Sequence, residues 1–252
     1  MGRYDGIVLC SDFDGTLAVH GEVSQKNCDA IKYFCDNGGV FSVISGRGIP
    51  FFADFEQSLC LRSYVGCVNG AVICHMPTKS IVDQEFLPDG AKERACRMLD
   101  LIGDNLKRVQ LFTSESSYPF DSAQEFFDAA DSLPWDSALK VIAWSHEPYS
   151  DEDMSRIGEI FGDEFLPTRS GKSLCEINAK LGSKGRAARK IAELCGAHTL
   201  VCVGDYENDI SLLQAADIAY AVENAIPKLK QIADRITVCD RDDAIAAIIA
   251  EL

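Results

Sequence analysis

The chain has no apolar run approaching the roughly 18 residues of a membrane-spanning helix, so no segment qualifies as one. Basic residues are outnumbered: 24 Lys and Arg stand against 39 Asp and Glu, a formal net charge of −15. No cluster of Lys and Arg interrupts that balance, which speaks against a nucleic-acid partner. Histidine is scarce, and His20, His75, His146 and His198 show no metal-ligand spacing, so none is assigned a role. The eleven cysteines include no C-x-x-C pair, which leaves zinc-ribbon and thioredoxin-like chemistry unsupported. Most lie inside apolar runs (Cys10, Cys67, Cys74, Cys202, Cys239), and the odd count argues against a complete disulfide framework. Reduced, buried thiols in the cytoplasm are the expectation. The apolar run near the N-terminus is too short for a secretion signal, and neither repeats nor low-complexity segments occur.

What is present is a rhythm of apolar strands and amphipathic helices. "GIVLCSD" reads as a buried strand, and "SQKNCDAIKYFCDNGG" as a helix capped by Ser24 with Ile31, Phe34 and Cys35 on one face. "VFSVIS" is a second strand, "IPFFADFEQSLCL" a helix after a proline start, and "SYVGCVNGAVIC" two strands around an Asn-Gly turn. The last third repeats the pattern, with "SKGRAARKIAELCG" and "ENDISLLQAA" as helices flanking the strand "HTLVCVGD". Alternation of this kind predicts an α/β fold with a doubly wound parallel sheet. The stretch between, with its own strands "RVQLFTSES", "ALKVIAWSH" and "KSLCEIN" and helices from "DGAKERACRMLDLIG" and "SDEDMSRIGEIFG", reads as a separate α+β layer. The expected domains are a core of residues 1–84 and 180–252 and an inserted domain of residues 85–179.

In open α/β sheets ligands bind beyond the carboxyl ends of the strands. The first strand is followed by Asp12, Asp14 and Thr16, the second by Ser45, Gly46 and Arg47, and the third by Asn69. "TLVCVGD" ends on Asp205, with Asn208 and Asp209 just after, and Lys184 opens the preceding helix. Two carboxylates one residue apart repel unless something positive shares the site. Three or more carboxylates at one sheet edge need a hard cation, and Mg²⁺ suits few carboxylates plus a substrate oxygen. A cation with Ser45, Arg47 and Lys184 suits a phosphoryl group, which Gly15 and Gly46 allow backbone N–H groups to approach. An ionised Asp held against phosphorus can attack it.

"DFDGT", "SGR", a lone Lys and "GDYENDISLL", in that order, resemble the four motifs of the haloacid dehalogenase-like phosphohydrolases. "VNGA" and the tail "AVENAIPKLKQIADRITVCD" are similar to the Cof-like branch. The resemblance implies that Asp12 is the nucleophile, forming an aspartyl-phosphate, and that Asp14 is the general acid/base. It implies that Thr16 supports the loop and that Ser45 and Lys184 hold phosphoryl oxygens. Gly46, Arg47, Asn69 and Asn208 would lie near the phosphate. Mg²⁺ would be held by Asp12, the Asp14 carbonyl and Asp205, with Asp209 in support.

The insertion lies between "NGA" and Lys184, which resembles a C2-type cap. A cap of this kind closes over the site and implies a small phosphorylated metabolite, a sugar phosphate or similar. Polar cap positions expected to read that substrate are Thr113, Ser114, Glu115, Arg169 and Lys172. The implied activity is a Mg²⁺-dependent phosphatase acting on a small-molecule phosphate ester. A phosphomutase or phosphotransferase with the same aspartyl-phosphate is the alternative.

Overall fold

The computed structural model describes residues 2–252. From the N-terminus run β1 (Ile7–Ser11), α1 (Gln25–Asp36), β2 (Val40–Val43), β3 (Tyr64–Cys67), β4 (Val72–His75) and β5 (Ser80–Gln84). Then come α2 (Ala91–Ile102), β6 (Leu106–Thr113), β7 (Ser117–Phe120), α3 (Ala123–Ala129), β8 (Ala138–Ser145), α4 (Asp151–Phe161), β9 (Phe165–Gly171) and β10 (Leu174–Ala179). The chain closes with α5 (Lys184–Leu194), β11 (Thr199–Gly204), α6 (Ile210–Ala215), β12 (Ile218–Ala221), α7 (Pro227–Ile232), β13 (Arg235–Ile236) and α8 (Ala244–Glu251). Among the described residues no helix is long and apolar enough to cross a membrane.

The chain divides into two compact units, one running up to Gln84 and resuming at Lys184, the other Glu85–Ser183. The second unit thus keeps residues 180–183, which the sequence reading places in the first. Lys180 N donates to Glu164 O (2.9 Å) and Gly182 N to Ala179 O (2.9 Å), which ties this segment back to its own sheet.

In the first unit the strand order is β13-β12-β11-β1-β2, parallel throughout. β1 and β11 are near-continuous apolar runs because a parallel sheet is covered on both faces. Helix α1 begins where Ser24 Oγ accepts from Asn27 N (3.1 Å), and it packs through buried Ile31 and Phe34; its neighbour is α8, while α5 pairs with α6. The order places β11 on one side of β1 and β2 on the other. Connections therefore diverge at β1, the topological switch point where α/β sheets open a crevice. Both acidic motifs leave the sheet there.

Two elements differ from the sequence reading. β3, β4 and β5 form an antiparallel sheet of their own, joined to β2 by a single parallel bridge between Ile44 and Gly66. The expected helix at 49–61 is a short 3₁₀ turn, Ile49–Phe55. It stops early because Leu59, Cys60 and Leu61 all turn inward to be buried, with Cys60 in the left-handed region (φ 48°).

The second unit is an antiparallel sheet, order β7-β6-β8-β10-β9, with one face packed against α2, α3 and α4. Alternation decides that face: Val109, Leu111, Val141, Ala143, Cys175 and Ile177 bury against the helices. On the opposite set of positions a buried ion pair joins Lys140 Nζ to Glu176 Oε2 (2.7 Å). Arg169, expected to read substrate, shares the helix-facing set. Its Nη1 donates to Tyr149 O (2.8 Å), and its guanidinium pairs with Asp151 at the start of α4. Thr113 caps its own turn, its Oγ1 accepting from Ser116 N (3.0 Å).

Candidate active site

Asp12 is the first residue beyond β1, and its N still donates to Val203 O of β11 (3.0 Å). The backbone then turns sharply. Leu17 N and Ala18 N both donate to Phe13 O (3.1 and 2.8 Å), and Gly15 N donates to Ala18 O (3.1 Å). This turn separates the two carboxylates. Asp12 is buried, Phe13 is fully buried beneath it, and Asp14 is exposed. Gly15 makes the turn possible at φ +83°; a Cβ there would lie 2.8 Å from Asp205 Oδ2.

The turn after β11 supplies the other half. Asp209 Oδ2 accepts from Asp205 N (2.9 Å) and Tyr206 N (3.1 Å), so this carboxylate caps the loop that presents Asp205. Gly204 permits it, since a Cβ at 204 would stand 2.5 Å from Asp209 Cβ. Lys184, the first residue of α5, reaches between the two loops. Its Nζ donates to Asp12 Oδ1 and Asp209 Oδ1, each at 2.6 Å. All three side chains are buried.

Charge in this cluster is unbalanced. One ammonium faces Asp12, Asp205 and Asp209, whose carboxylate oxygens lie within 4.8 Å of one another. Burial, then the charge of Asp209, pushes the Asp12 carboxyl well above the usual carboxylate range, and Lys184 offsets only part of that. Burial and Asp209 likewise push Asp205 up to about 7, against the hydrogen bond it accepts from Thr16 Oγ1 (3.0 Å). Lys184 is held in its charged form: burial opposes the charge, but Asp12 and Asp209 together outweigh it. An all-oxygen donor set short of positive charge fits a hard divalent cation such as Mg²⁺. It is the only such group of His, Cys, Asp and Glu among the described residues.

A second set of residues lines the loops after β2 and β3. Ser45 N donates to Gly66 O (3.0 Å), and Ser45 O accepts from Asn69 N (2.9 Å). Asn69 is buried in the left-handed conformation (φ 59°). Val68 N donates to Arg47 O (2.9 Å), so the two loops are clasped by their backbones. Gly46 is half-buried on the loop after β2, and Asn208 is half-buried on the turn after β11.

The structure thus brings Asp12, Thr16, Lys184, Asp205 and Asp209 into one hydrogen-bonded cluster. The Asp14 carboxylate stands apart from it. Arg47 Nε donates to Asp14 Oδ2 (3.0 Å) and Nη2 to Asp14 Oδ1 (2.8 Å). One contributor escaped the sequence reading. Asn224 Nδ2 donates to Gly15 O (2.8 Å) while Asn224 Oδ1 accepts from Asp240 N (2.9 Å), which braces the turn after β1 from the C-terminal segment. Its signal in the sequence is the "NA" of "AVENAIPK", inside the tail that resembles the Cof-like branch.

A family model described as haloacid dehalogenase-like hydrolase matches residues 9–249. The chain is 36% identical over 288 residues to 5-amino-6-(5-phospho-D-ribitylamino)uracil phosphatase YwtE of Bacillus subtilis, with 97% of each covered. It is 39% identical over 245 residues to a phosphoglycolate phosphatase of Sulfurisphaera tokodaii, covering 96% of this chain and 91% of the relative. Among solved structures, the HAD subclass IIB sugar phosphatase BT4131 shares the fold, with a TM-score of 0.80 at 17% identity over 97% of this chain and 98% of that one.

Proposed function

The chain belongs to the haloacid dehalogenase-like hydrolases and is a phosphoric monoester hydrolase, and from that premise we propose a Mg²⁺-dependent phosphatase that cleaves a small phosphorylated metabolite, a sugar phosphate or similar, through an aspartyl-phosphate on Asp12. The observation that carries this reading is the buried Asp12–Lys184–Asp209 triad beside Asp205. The hydrogen bond from Lys184 Nζ fixes the Asp12 carboxyl group at the carboxyl end of the central strand.

In the proposed reaction an Asp12 oxygen forms a bond to phosphorus as the ester oxygen departs, and Asp14 gives that oxygen its proton. Asp14 then takes a proton from water, whose oxygen attacks the phosphoryl group; inorganic phosphate leaves and the Asp12 carboxylate is restored. Lys184 fixes the rotation of Asp12, and with Ser45 it neutralises phosphoryl oxygens. Gly46, Asn69 and Asn208 lie on the turns assigned to the phosphate side, and Thr16 steadies Asp205. Asp12, Asp205 and Asp209, with the Asp14 carbonyl, would hold Mg²⁺, which supplies positive charge for the phosphoryl oxygens when bound. Water as the final acceptor, rather than a sugar hydroxyl, is supported by the phosphatases among the relatives.

Phosphate release from a panel of phosphorylated metabolites with Mg²⁺ tests the reading. Phosphoglycolate and 5-amino-6-(5-phospho-D-ribitylamino)uracil, the substrates for which two relatives are named, belong at its head. Wild-type protein should release phosphate from at least one member of the panel, and Asp12→Asn from none. An Asp12→Asn variant turning over near the wild-type rate would dismiss the covalent mechanism.

A further inference from the structure

Arg47 follows Ser45 closely, and from sequence it belongs with the phosphate ligands. Its surroundings say otherwise. One edge of its guanidinium is committed to a single carboxylate: Nε and Nη2 donate to the two oxygens of Asp14 at 3.0 and 2.8 Å. The guanidinium plane lies over the Phe51 ring, 4.7 Å from its centroid. Phe51 in turn meets Phe13 edge-on (5.1 Å), and Phe55 contacts both, at 5.0 Å from Phe13 and 5.3 Å from Phe51. Phe13 is the residue between Asp12 and Asp14. The aromatic floor under Arg47 is therefore anchored in the same turn whose carboxylate Arg47 grips.

This closed frame fixes the Asp14 side chain in direction. A flexible lysine would supply charge alone, whereas the guanidinium is planar and holds a carboxylate by two parallel hydrogen bonds. Asp14 and Arg47 are each about half exposed (48% for both side chains), so the pair adds little to stability and its effect is geometric. The backbone of Arg47 is pinned too, since its N donates to Ser45 Oγ (3.3 Å) and its O accepts from Val68 N (2.9 Å).

Resting on the phosphatase reading above, we propose that Arg47 is a positioning residue for the general acid Asp14 and not a ligand of the transferred phosphate, with Phe51 as the platform that orients its fork. The chemical consequence depends on the leaving group. An ester whose alcohol departs readily as an anion asks little of Asp14. A poor leaving group must receive its proton as the bond to phosphorus breaks, and it depends on where that proton is held.

The experiment compares kcat/KM for p-nitrophenyl phosphate and phenyl phosphate in wild type, Arg47→Ala, Arg47→Lys and Phe51→Leu, with inhibition by inorganic phosphate measured in parallel. In Arg47→Ala the phenyl ester should lose roughly ten-fold or more activity beyond the loss on the p-nitrophenyl ester. Inhibition by phosphate should stay within about two-fold of wild type, since no phosphate contact is removed. Arg47→Lys should behave like Arg47→Ala, and Phe51→Leu should show the same leaving-group dependence at smaller amplitude. Parallel loss on both esters with weakened phosphate inhibition, or full rescue by lysine, overturns the positioning role and leaves the phosphatase reading standing. A wild type inactive on both esters and on the metabolite panel overturns the phosphatase reading and this inference with it.

Discussion

Replacing Lys184 with Met keeps most of the buried stem and removes the ammonium that two carboxylates share. Asp12 and Asp209 each lie 2.6 Å from that ammonium, and both are buried. Breaking a buried pair from one side leaves an uncompensated charge, at a cost of about 3–5 kcal/mol. In a chain of this size each kcal/mol moves the melting temperature by about 2–4 °C, so Lys184→Met should melt roughly 6–20 °C below wild type in chelator at about pH 8. The pH dependence carries a definite sign. The Asp12 carboxyl is raised in the folded protein, so the folded state holds a proton that the unfolded state releases once pH exceeds the unfolded value near 4. Stability from this group is therefore present at low pH and is lost as pH rises through the folded value. Without Lys184 that loss deepens, and the deficit of the variant should be largest at about pH 8 and shrink toward about pH 5. Added Mg²⁺ should recover part of it at the higher pH. Differential scanning fluorimetry in chelator and in Mg²⁺, at both pH values, provides the measurement. A variant melting within about 2 °C of wild type at both pH values would refute the reasoning, because the triad would then carry no electrostatic weight.

Other consequences follow from the same geometry. Burial and the charge of Asp209 push Asp205 up to about 7, and a carboxyl must lose its proton to hold a metal, so the Mg²⁺ concentration giving half-maximal activity should fall by up to roughly ten-fold between about pH 6 and pH 8; a titration showing no pH dependence would count against Asp205 as a ligand. Gly15→Ala places a methyl 2.8 Å from Asp205 Oδ2 and adds about 1 kcal/mol or more of left-handed strain, so turnover should drop at least about ten-fold while melting changes by only a few degrees; unchanged turnover would mean the turn tolerates a shift. Asp14→Asn should still accept phosphoryl from p-nitrophenyl phosphate but release it slowly, so acid-quenched protein should carry covalent phosphate, and its absence would detach Asp14 from the second step.

The strands and the acidic turns were legible because they are local. β1 and β11 are apolar runs that end on aspartates, and Ser24 and Gly196 bracket helices in the sequence itself. Asp12, Asp205 and Asp209 are singled out by one rule, that ligands gather at carboxyl strand ends, whereas Lys184, which opens a helix, is favoured over Lys180 and Lys172 only by the family resemblance of "SKG". What was not legible depends on partners far apart in the chain. Nothing in "SGR" says that Arg47 reaches Asp14, 33 residues earlier. Nothing near Asn224 names Gly15, 209 residues away. Arg169 shares the buried face of Phe165 by simple alternation along β9, but nothing in the sequence says that its guanidinium is spent on Tyr149 and Asp151 of the segment that opens α4. The 3₁₀ turn at Ile49–Phe55 reads as a helix because its aromatic spacing suits either form, and only burial of Leu59–Leu61 cuts it short.

The central strands hold one further consequence. Cys10 and Cys202 sit opposite each other in the β1–β11 register, and of the eleven thiols seven are buried and four half-buried. Burial pushes the Cys67 and Cys202 thiols up and keeps them protonated and inert. Folding is then their only shield against oxidants. Once the sheet opens in air, sulfurs that never meet in the native molecule become free to join, within one chain or between chains. Unfolding becomes one-way, the apparent melting temperature follows the scan rate, and lifetime rather than equilibrium sets how long the protein survives. In a strong reductant the same molecule should unfold and return.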